Sequence, residues 1–389
     1  MPNFKAKSIK ELSLPFEKDG VSFLFKAYND KITLILTRVL EQSFFLQIKR
    51  EKDVFIIKAD KHSKPSKIGY LQKALKIFKE NFCEGILNEA FGLKNNALVE
   101  QTPFIVKDFE ELLLRLEKEE KIYIEIGFGS GRHLLFKARQ NPEILMLGVE
   151  IYTPALTQVA KLAKAQNLNN VLLIQSDARL LLSILKRKSI EKIFLHFPVP
   201  WKDKAHRRVI GEAFCKECAR VLKGEFELRT DSYEYFDFAL KEFLNFSKPQ
   251  FLLKKNENLE ISSKYEDRWK RQEKDIYDLV VWNLDEIKED ETQDFDFEDL
   301  YLSKKGVEAF WGQFEKKSMK RKDYFLSFRN LYQSEKGFVL KCAFGAFNAP
   351  SHAYILFGER LKFLLKNPLK TRENLKALGE LKQILKEFS

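Results

Sequence analysis

The sequence predicts an α/β protein in which a central domain on a parallel β-sheet has a smaller α+β domain on each side. Three observations lead to this class. Short apolar segments alternate with helical windows between residues 121 and 197, as in βαβ units. A glycine-rich loop follows the first of these segments. The 389 residues correspond to two or three domains at about 150 residues each.

The composition limits the class of protein further. A formal net charge of +12 and a pI near 9.2 favour a polyanionic partner, of which nucleic acid is the commonest. Four cysteines are too few for a disulfide scaffold in a chain of this length. No stretch resembles a secretion signal or a membrane helix. We therefore expect a cytoplasmic protein that makes no membrane contact.

Residues 1–112 are predicted to form the N-terminal domain. Its pattern is a set of β-rich runs followed by a helical run. The β-rich runs are 21–25, 31–37, 44–48 and 54–57, and the helical run is 69–82. This order indicates a small β-then-α domain.

Charge separates the C-terminal part of the chain. Residues 284–300 hold nine acids and one lysine, and 301–389 hold 18 basic and 8 acidic residues. We interpret 285–300 as an acidic linker, either a solvated spacer or a strap that shields a basic surface. The block 301–389 is predicted to be a basic domain. Its expected elements are strands 338–346 and 353–357 and helices 361–365 and 373–388.

The central domain, 113–284, carries the chemistry. Gly127, Gly129 and Gly131 follow the strand 122–126, and such glycines let the backbone turn tightly and approach a ligand before a helix begins. Glu150 closes the second strand. Rossmann-like domains place at this point the acid that accepts hydrogen bonds from ribose hydroxyls. The spacing predicts a nucleotide-type ligand.

The acids at the strand ends indicate which cofactor binds. A nicotinamide dinucleotide normally needs a Gly-x-Gly-x-x-Gly loop, whereas this loop is one residue shorter and follows Glu125, which would repel a pyrophosphate. The pattern instead predicts S-adenosylmethionine, with Glu125 at the methionine end, Glu150 at the ribose, and Asp177 beside Ala178 at the adenine. The alternative for each acid alone is a helix N-cap or a surface charge.

The fourth strand leads into His196-Phe197-Pro198-Val199-Pro200-Trp201 at the carboxyl edge of the predicted sheet, where open α/β sheets bind substrates. Two prolines stiffen this loop and Trp201 offers a stacking face. A basic run that could contact phosphate follows: Lys202, Lys204, His206, Arg207 and Arg208. The alternative is a rigid connection with a buried tryptophan and a solvated basic helix start.

Several motifs within 121–283 together resemble the bacterial tRNA (guanine-N7-)-methyltransferases. They are the loop 125–131, Gly148-Val149-Glu150, Asp177-Ala178, Phe197-Pro198-Val199-Pro200-Trp201, Thr230-Asp231 and Ser263-Lys264-Tyr265-Glu266-Asp267-Arg268. The resemblance implies a Rossmann-like class I methyltransferase fold that uses S-adenosylmethionine and releases S-adenosylhomocysteine. It also implies methylation of guanine N7 in the tRNA variable loop.

The resemblance also supplies candidate substrate residues. Val199 stands where the family has an aspartate between the two prolines. We therefore hypothesise that Asp231 or Glu266 holds the N1 and N2 edge of the guanine while Trp201 shapes the pocket. The carried-over positions that would also contact tRNA are Ser263, Tyr265 and Arg268. Two alternatives stay open: a methyltransferase acting on another RNA, and a non-catalytic tRNA-binding subunit.

The remaining motifs give weaker expectations. Cys215 and Cys218 lie in a helical window, 210–222, with no second pair, so we interpret them as buried core residues and predict no metal. His133 is predicted to be a surface or cap residue. The basic block 301–389 prompts the hypothesis that it adds tRNA affinity. A monomer and a homodimer are both compatible with the sequence.

Overall fold

The computed structural model describes residues 2–65, 67–91, 102–201, 207–261, 266, 272–285, 296–297, 300–347, 349–358 and 360–388. The chain forms two compact units. Unit 1 comprises Met1–Asn96 and Thr292–Ser389, and unit 2 comprises Ala97–Glu291.

The N-terminal segment of unit 1 is a β-rich run with one long helix. Its elements are β1 (Asn3–Ile9), β2 (Phe16–Lys18), β3 (Val21–Tyr28), β4 (Ile32–Val39), β5 (Gln42–Glu51), β6 (Val54–Ala59), α1 (Ile68–Phe82) and β7 (Cys83–Glu89). The predicted strands and the predicted helix are confirmed. Strands β1, β2 and β7 were not predicted. Leu75 and Phe78 on one face of α1 pack into an apolar cluster with Phe23 and Phe44 of the sheet.

Unit 2 is an alternation of strands and helices. Its elements are α2 (Phe109–Leu116), β8 (Ile122–Ile126), α3 (Arg132–Gln140), β9 (Leu145–Glu150), α4 (Thr153–Ala165), β10 (Val171–Gln175), α5 (Ala178–Ile184), β11 (Ile190–His196), α6 (Glu212–Val221), β12 (Leu222–Thr230), α7 (Tyr233–Leu244), β13 (Gln250–Lys255) and β14 (Tyr277–Trp282). The α/β class predicted for the central domain is confirmed.

One sheet organises unit 2, in the order β10-β9-β8-β11-β12-β14-β13. Strands β8 to β12 are parallel, whereas β14 pairs antiparallel with both β12 and β13. Apolar side chains cover the sheet on both faces, which is why the strands read as continuous hydrophobic runs. Because parallel strands end at one edge, the loops after β8, β9, β10, β11 and β12 meet there.

The C-terminal segment returns to unit 1. Its elements are α8 (Lys304–Gly312), β15 (Ser318–Lys320), β16 (Phe325–Ser334), β17 (Gly337–Gly345), β18 (Ser351–Phe357), β19 (Leu361–Phe363) and α9 (Arg372–Lys386). The predicted strands 338–346 and 353–357 and the predicted helix 373–388 are confirmed. The prediction of a helix over 361–365 is wrong. Residues Leu361–Phe363 instead pair with β18, because a sheet edge there offers hydrogen-bonding partners.

The two terminal segments share one twelve-stranded sheet, with the main order β19-β18-β17-β16-β3-β4-β5-β6-β1-β7. This differs from the expectation of separate domains at 1–112 and 301–389. The sheet is continuous because β16 pairs with β3. An apolar cluster joins side chains of both segments, including Phe25, Phe45, Tyr332 and Tyr354.

The domain boundary near residue 112 also differs from the prediction. Phe104 is part of the unit 2 core, and the Val106 amide donates to the Leu173 carbonyl of β10 over 3.0 Å. Most of the predicted acidic linker, 285–300, lies outside the described residues. Within the described part of the chain, no helix is both long and apolar enough to cross a membrane.

Candidate active site

The glycine loop leaves β8 in a conformation that requires glycine. Gly127, Gly129 and Gly131 have φ values of +69°, +51° and +70°, which are costly for residues with a side chain. A Cβ on Gly131 would lie 2.4 Å from Val159 Cγ2 of α4. The Gly127 amide donates to the Val149 carbonyl over 2.8 Å, so the loop is tied to β9. Backbone geometry therefore favours glycine at all three positions, and packing against Val159 also requires it at Gly131.

The outer side of this loop is open. A Cβ on Gly127 would meet no atom within 4 Å, and one on Gly129 would meet only the Gly127 carbonyl oxygen, at 3.9 Å. Helix α3 begins directly after Gly131 without a side-chain cap. The loop can therefore bring its backbone close to a ligand, and its residues fit the predicted cofactor.

Glu150 lies at the end of β9 and faces this loop. Its Oε2 accepts a hydrogen bond from the Gly129 amide over 3.3 Å. Its Oε1 accepts from the amides of Ile151 and Tyr152, at 2.8 and 3.1 Å. These bonds fix the half-buried carboxylate, which retains lone pairs for further donors. This position suits an acceptor for ribose hydroxyls.

Glu125 is buried in β8, and its Oε2 lies 2.8 Å from Nδ1 of His133. His133 is only 6% exposed, so its prediction as a surface or cap residue is wrong. The physical reason is that the first turn of α3 passes over the end of β8, where a carboxylate needs a hydrogen-bond partner once it is buried. The structure thus places Glu125 at the loop and orients it through His133.

A buried polar network extends from this pair. The rings of His133 and His196 lie 4.5 Å apart between centroids. His196 Nε2 lies 2.8 Å from Glu227 Oε1, and Lys192 donates to Glu227 Oε2 over 2.8 Å. The sequence reasoning missed Glu227 and Lys192. Both are charged residues inside otherwise apolar strand segments, and this was the one feature of the sequence that could have pointed to a buried polar network.

The network makes a prediction about acid stability. Burial disfavours the charge on Glu227, but its hydrogen bond to His196 and the charge of Lys192 hold its pKa well below the ordinary value of 4.5. Because the folded pKa is the lower one, the ionised Glu227 stabilises the protein above about pH 4.5, and this contribution fades as pH falls. Glu227→Gln should therefore lower the melting temperature at neutral pH, and the deficit should shrink below about pH 4.5.

Thermal melting between about pH 7 and pH 3 measures this effect. Glu225→Gln is the matched control, because Glu225 also pairs with Lys192, yet its side chain is 38% exposed. A deficit for Glu227→Gln that stayed constant across the pH range would contradict the assignment.

Asp177 caps α5. Its carboxylate accepts hydrogen bonds from the Arg179 amide, Nε and Nη2, at 2.8, 3.0 and 2.7 Å. Burial opposes the charge, but the hydrogen bonds and the charge of Arg179 lower the pKa of Asp177. Ala178 is buried at the start of the helix. Asp177 therefore acts as the N-cap of α5, and it lies at the sheet edge where the adenine contact is predicted.

The loop after β11 holds two residues in the left-handed region without being glycine. The φ values of Phe197 and Trp201 are +49° and +42°, at a cost of about 1–2 kcal/mol per residue. Two hydrogen bonds hold the loop: the Phe197 amide donates to the Arg229 carbonyl over 2.7 Å, and Arg208 Nε donates to the Pro200 carbonyl over 2.9 Å. Strain maintained in this way is typical of functional loops.

The two arginines after this loop have different surroundings. The Arg207 guanidinium is exposed and lies 5.0 Å from the Trp201 ring centroid. The Arg208 guanidinium packs over Phe238 at 4.8 Å. Arg207 is therefore available to a phosphate, whereas Arg208 mainly supports the loop. Val199, which precedes both arginines in the sequence, is 60% exposed.

A buried ion cluster supports the end of β12. Arg229 is fully buried, and its Nη1 donates to both Asp278 oxygens at 2.6 and 2.7 Å. Its Nη2 donates to Glu266 Oε1 over 3.0 Å, and Glu266 is 1% exposed. Asp231, two residues further along the chain, lies at the strand end 3.4 Å from Lys274 Nζ with 18% of its side chain exposed. Of the two carboxylates proposed for the guanine edge, Asp231 is the accessible one.

The structure therefore brings the cofactor candidates, the Trp201 loop and Asp231 to one edge of the unit 2 sheet. Six predicted substrate residues lie outside the described residues: Lys202, Lys204, His206, Ser263, Tyr265 and Arg268. Cys215 and Cys218 lie in the apolar core, as predicted.

A sheet of this strand order, with a glycine loop after its central strand and an acid at the end of the neighbouring strand, defines a class I S-adenosylmethionine-dependent methyltransferase fold. A family model described as a putative methyltransferase matches residues 119–279. The tRNA (guanine-N(7)-)-methyltransferase of Campylobacter jejuni subsp. jejuni serotype O:2 is 64% identical over 99% of both chains.

More distant relatives carry the same name. The Campylobacter fetus protein is 41% identical over 99% of both chains, and the Helicobacter acinonychis protein is 36% identical over 100% of this chain and 98% of its own. This chain belongs to the tRNA (guanine-N7-)-methyltransferase family. The predicted family, the class I methyltransferase fold of the central domain and the enzyme class are confirmed, whereas the two separate flanking domains are not. The likeness to these relatives extends over both units.

Proposed function

We propose that this enzyme transfers a methyl group from S-adenosylmethionine to N7 of a guanine in the variable loop of tRNA. One observation carries the proposal. The glycine loop, which is hydrogen-bonded to Glu150, lies at the same sheet edge as the strained loop that ends at Trp201. A hydrogen bond from the Phe197 amide to the Arg229 carbonyl joins this second loop to β12, the strand that leads to Asp231. The net charge of +12 supports a polyanionic substrate.

Residues of the glycine loop and three strand ends would hold the cofactor. Glu150 would accept the ribose hydroxyls, Glu125 would face the amino group, and Asp177 with Ala178 would border the adenine. When bound, S-adenosylmethionine supplies an electrophilic methyl group on its sulfonium and leaves as S-adenosylhomocysteine. We propose no metal, because the methyl acceptor needs no Lewis acid.

The chain's own contribution to the chemistry is orientation. Guanine N7 carries a lone pair and no proton, so its attack requires alignment more than a general base. We propose that Asp231 accepts hydrogen bonds from the N1 and N2 groups of the guanine and that Trp201 forms a wall of the pocket. Glu266 would act through Arg229 as a positioning residue.

Phosphate contacts would come from the basic run and from the late motif. Arg207 is the exposed member of the run within the described residues. We propose that Lys202, Lys204 and His206 belong to the same surface and that Arg208 contributes by holding the loop. We also propose that Ser263, Tyr265 and Arg268 contact the tRNA, as the family resemblance implies. A tRNA substrate is consistent with a cytoplasmic location.

Replacement of the proposed guanine ligand should slow methylation selectively. Asp231→Asn replaces one acceptor oxygen by a donor, so we expect kcat/KM for tRNA to fall about 10- to 100-fold. The affinity for S-adenosylhomocysteine should not change. The matched control is Asp237→Asn on α7, where the carboxylate is 38% exposed and pairs with Lys241. Equal kcat/KM values for the two variants would remove Asp231 from the site.

The proposed reaction is tested by product analysis. The purified enzyme is incubated with S-adenosylmethionine and tRNA that lacks the modification, and the digested RNA is analysed by mass spectrometry. We expect 7-methylguanosine in an amount comparable to the tRNA. If cofactor bound but no 7-methylguanosine formed, the proposal would fail in favour of another RNA substrate or a non-catalytic tRNA-binding subunit.

A further inference from the structure

Unit 1 contains a cavity of about 430 Å³ lined by cationic and polar side chains from both terminal segments. The lining residues are His62, Lys316, Arg329, Asn330, Lys341 and His352. The cavity exists because β16, β17 and β18 of the C-terminal segment lie in the same sheet as the N-terminal strands. Its size is in the range of small-ligand sites, about 300–1,000 Å³.

The cavity carries excess positive charge. Lys341 donates to the buried carboxylate of Asp60 over 2.7 Å, so this pair is close to neutral. Lys316 and Arg329 are exposed, and neither pairs with a carboxylate within the part of the chain that the structure describes. Two positive charges therefore remain without a counter-charge at one cavity.

The two histidines complete the polar lining. Their ring centroids lie 3.7 Å apart with the ring planes tilted by 31°. Nδ1 of His352 is buried with no hydrogen-bond partner among the described residues. Burial, together with Lys341 and Arg329, lowers the pKa of His352 to about 4. Burial and Lys341 also lower the pKa of His62. Both rings are thus neutral at neutral pH, and they add hydrogen-bonding groups to the charge of the lysine and the arginine.

The chemistry of this lining favours an anion over a metal cation. Two histidines alone could ligate a metal, but Lys316, Arg329 and Lys341 would repel it, and Asp60 already binds Lys341 and the Tyr354 hydroxyl. Arginine, lysine and amide donors around an open cavity are the groups that bind phosphate.

The charge of the C-terminal segment favours a nucleic-acid phosphate over a free one. Five of the six lining residues come from 301–389, a block with 18 basic and 8 acidic residues. A surface with this excess of positive charge suits a polyanion. A second cavity, of about 450 Å³, takes no part in the site, because Leu331 and Gln333 line it and lie on the opposite face of β16 from Asn330.

We propose that the cationic cavity of unit 1 binds a backbone phosphate of the tRNA substrate. The proposal rests on the proposed function, because it takes tRNA as the substrate. It gives unit 1 a binding role in the enzyme. The sequence led to the hypothesis that the basic block 301–389 adds tRNA affinity. The proposal assigns this affinity to the side chains that line the cavity.

The test is a double variant, Lys316→Gln with Arg329→Gln, in the full-length enzyme. The dissociation constant for unmodified tRNA is measured over a range of salt concentrations. We expect the affinity to fall about five- to tenfold at low salt and the slope of log K against log salt to decrease by about one. The matched control is Arg360→Gln with Lys362→Gln, which removes one arginine and one lysine that are exposed and line neither cavity.

Thermal melting and S-adenosylhomocysteine binding show whether the double variant is folded. If it is destabilised, the single variant Lys316→Gln replaces it in the binding measurement, because Lys316 lies in an exposed loop. Unchanged tRNA affinity and salt slope relative to the control would overturn the inference. Inorganic phosphate is titrated as a second probe. Phosphate binding lost in the variant while tRNA binding persisted would assign the cavity to a free anion and would also overturn it. Failure of the wild type to form 7-methylguanosine is a separate result that concerns the proposed function.

Discussion

Replacement of Arg229 by leucine should lower the free energy of unfolding of unit 2 by about 3–5 kcal/mol, because it leaves buried charges without their partner. Asp278 and Glu266 both accept hydrogen bonds from this guanidinium and are 6% and 1% exposed. Burial raises the pKa of Asp278 even with Arg229 present, so removal of the arginine leaves this carboxylate in a site that already disfavours its charge.

The measurement is the melting temperature of unit 2 in the full-length protein, recognised as the transition that shifts upward with S-adenosylhomocysteine. A loss of this size corresponds to a decrease of roughly 6–20 °C. Arg139→Leu is the control, because Arg139 is exposed on α3 and donates to Gln166; we expect a change within about 0.5 kcal/mol. Equal melting temperatures for the two variants would show that the cluster does not support β12.

Substitution of Glu150 should weaken cofactor binding more than any other single change in unit 2. In Glu150→Gln the side-chain amide would present a donor to at least one of the amides of Gly129, Ile151 and Tyr152, which now donate to the carboxylate. Hydrogen bonds to a charged acceptor contribute about 1.5–3 kcal/mol. We expect the dissociation constant for S-adenosylhomocysteine to rise about 10- to 150-fold.

Isothermal titration of both the variant and a control gives this value directly. Glu143→Gln removes an exposed acid from the same unit and should leave the dissociation constant within about twofold of the wild type. If Glu150→Gln bound the cofactor as tightly as Glu143→Gln, Glu150 would not be the ribose ligand, and the assignment of the glycine loop would need a different acid.

The cofactor half of the site could be predicted because its determinants are local in sequence. Glycine spacing after a strand and an acid at the end of the next strand follow from βαβ geometry, and Gly131 and Glu150 lie where this pattern places them. The partner of Glu125 could not be predicted in this way. His133 is buried because α3 packs against the end of β8, where its ring contacts Glu125. A single histidine in a helical window does not show whether its side chain is buried or exposed.

The substrate half was less predictable for the same reason. Asp231 and Glu266 are equivalent candidates in the sequence, and only the fold shows that Arg229 buries one of them. In unit 1, β3 and β16 pair through two residue pairs across about 300 positions of sequence. A pairing this short produces no recognisable pattern of apolar residues in the sequence. The shared sheet and its cationic cavity could therefore be found only in the structure.

The central claim, methyl transfer to guanine N7, is tested most directly with a tRNA in which that nitrogen is absent. Two transcripts of one tRNA are prepared, one with guanosine and one with 7-deazaguanosine, whose C–H group at this position has no lone pair to attack a methyl donor. The account predicts transfer of radiolabelled methyl to the guanosine transcript, located in the variable loop, and none to the 7-deazaguanosine transcript. Equal labelling of both transcripts would contradict it.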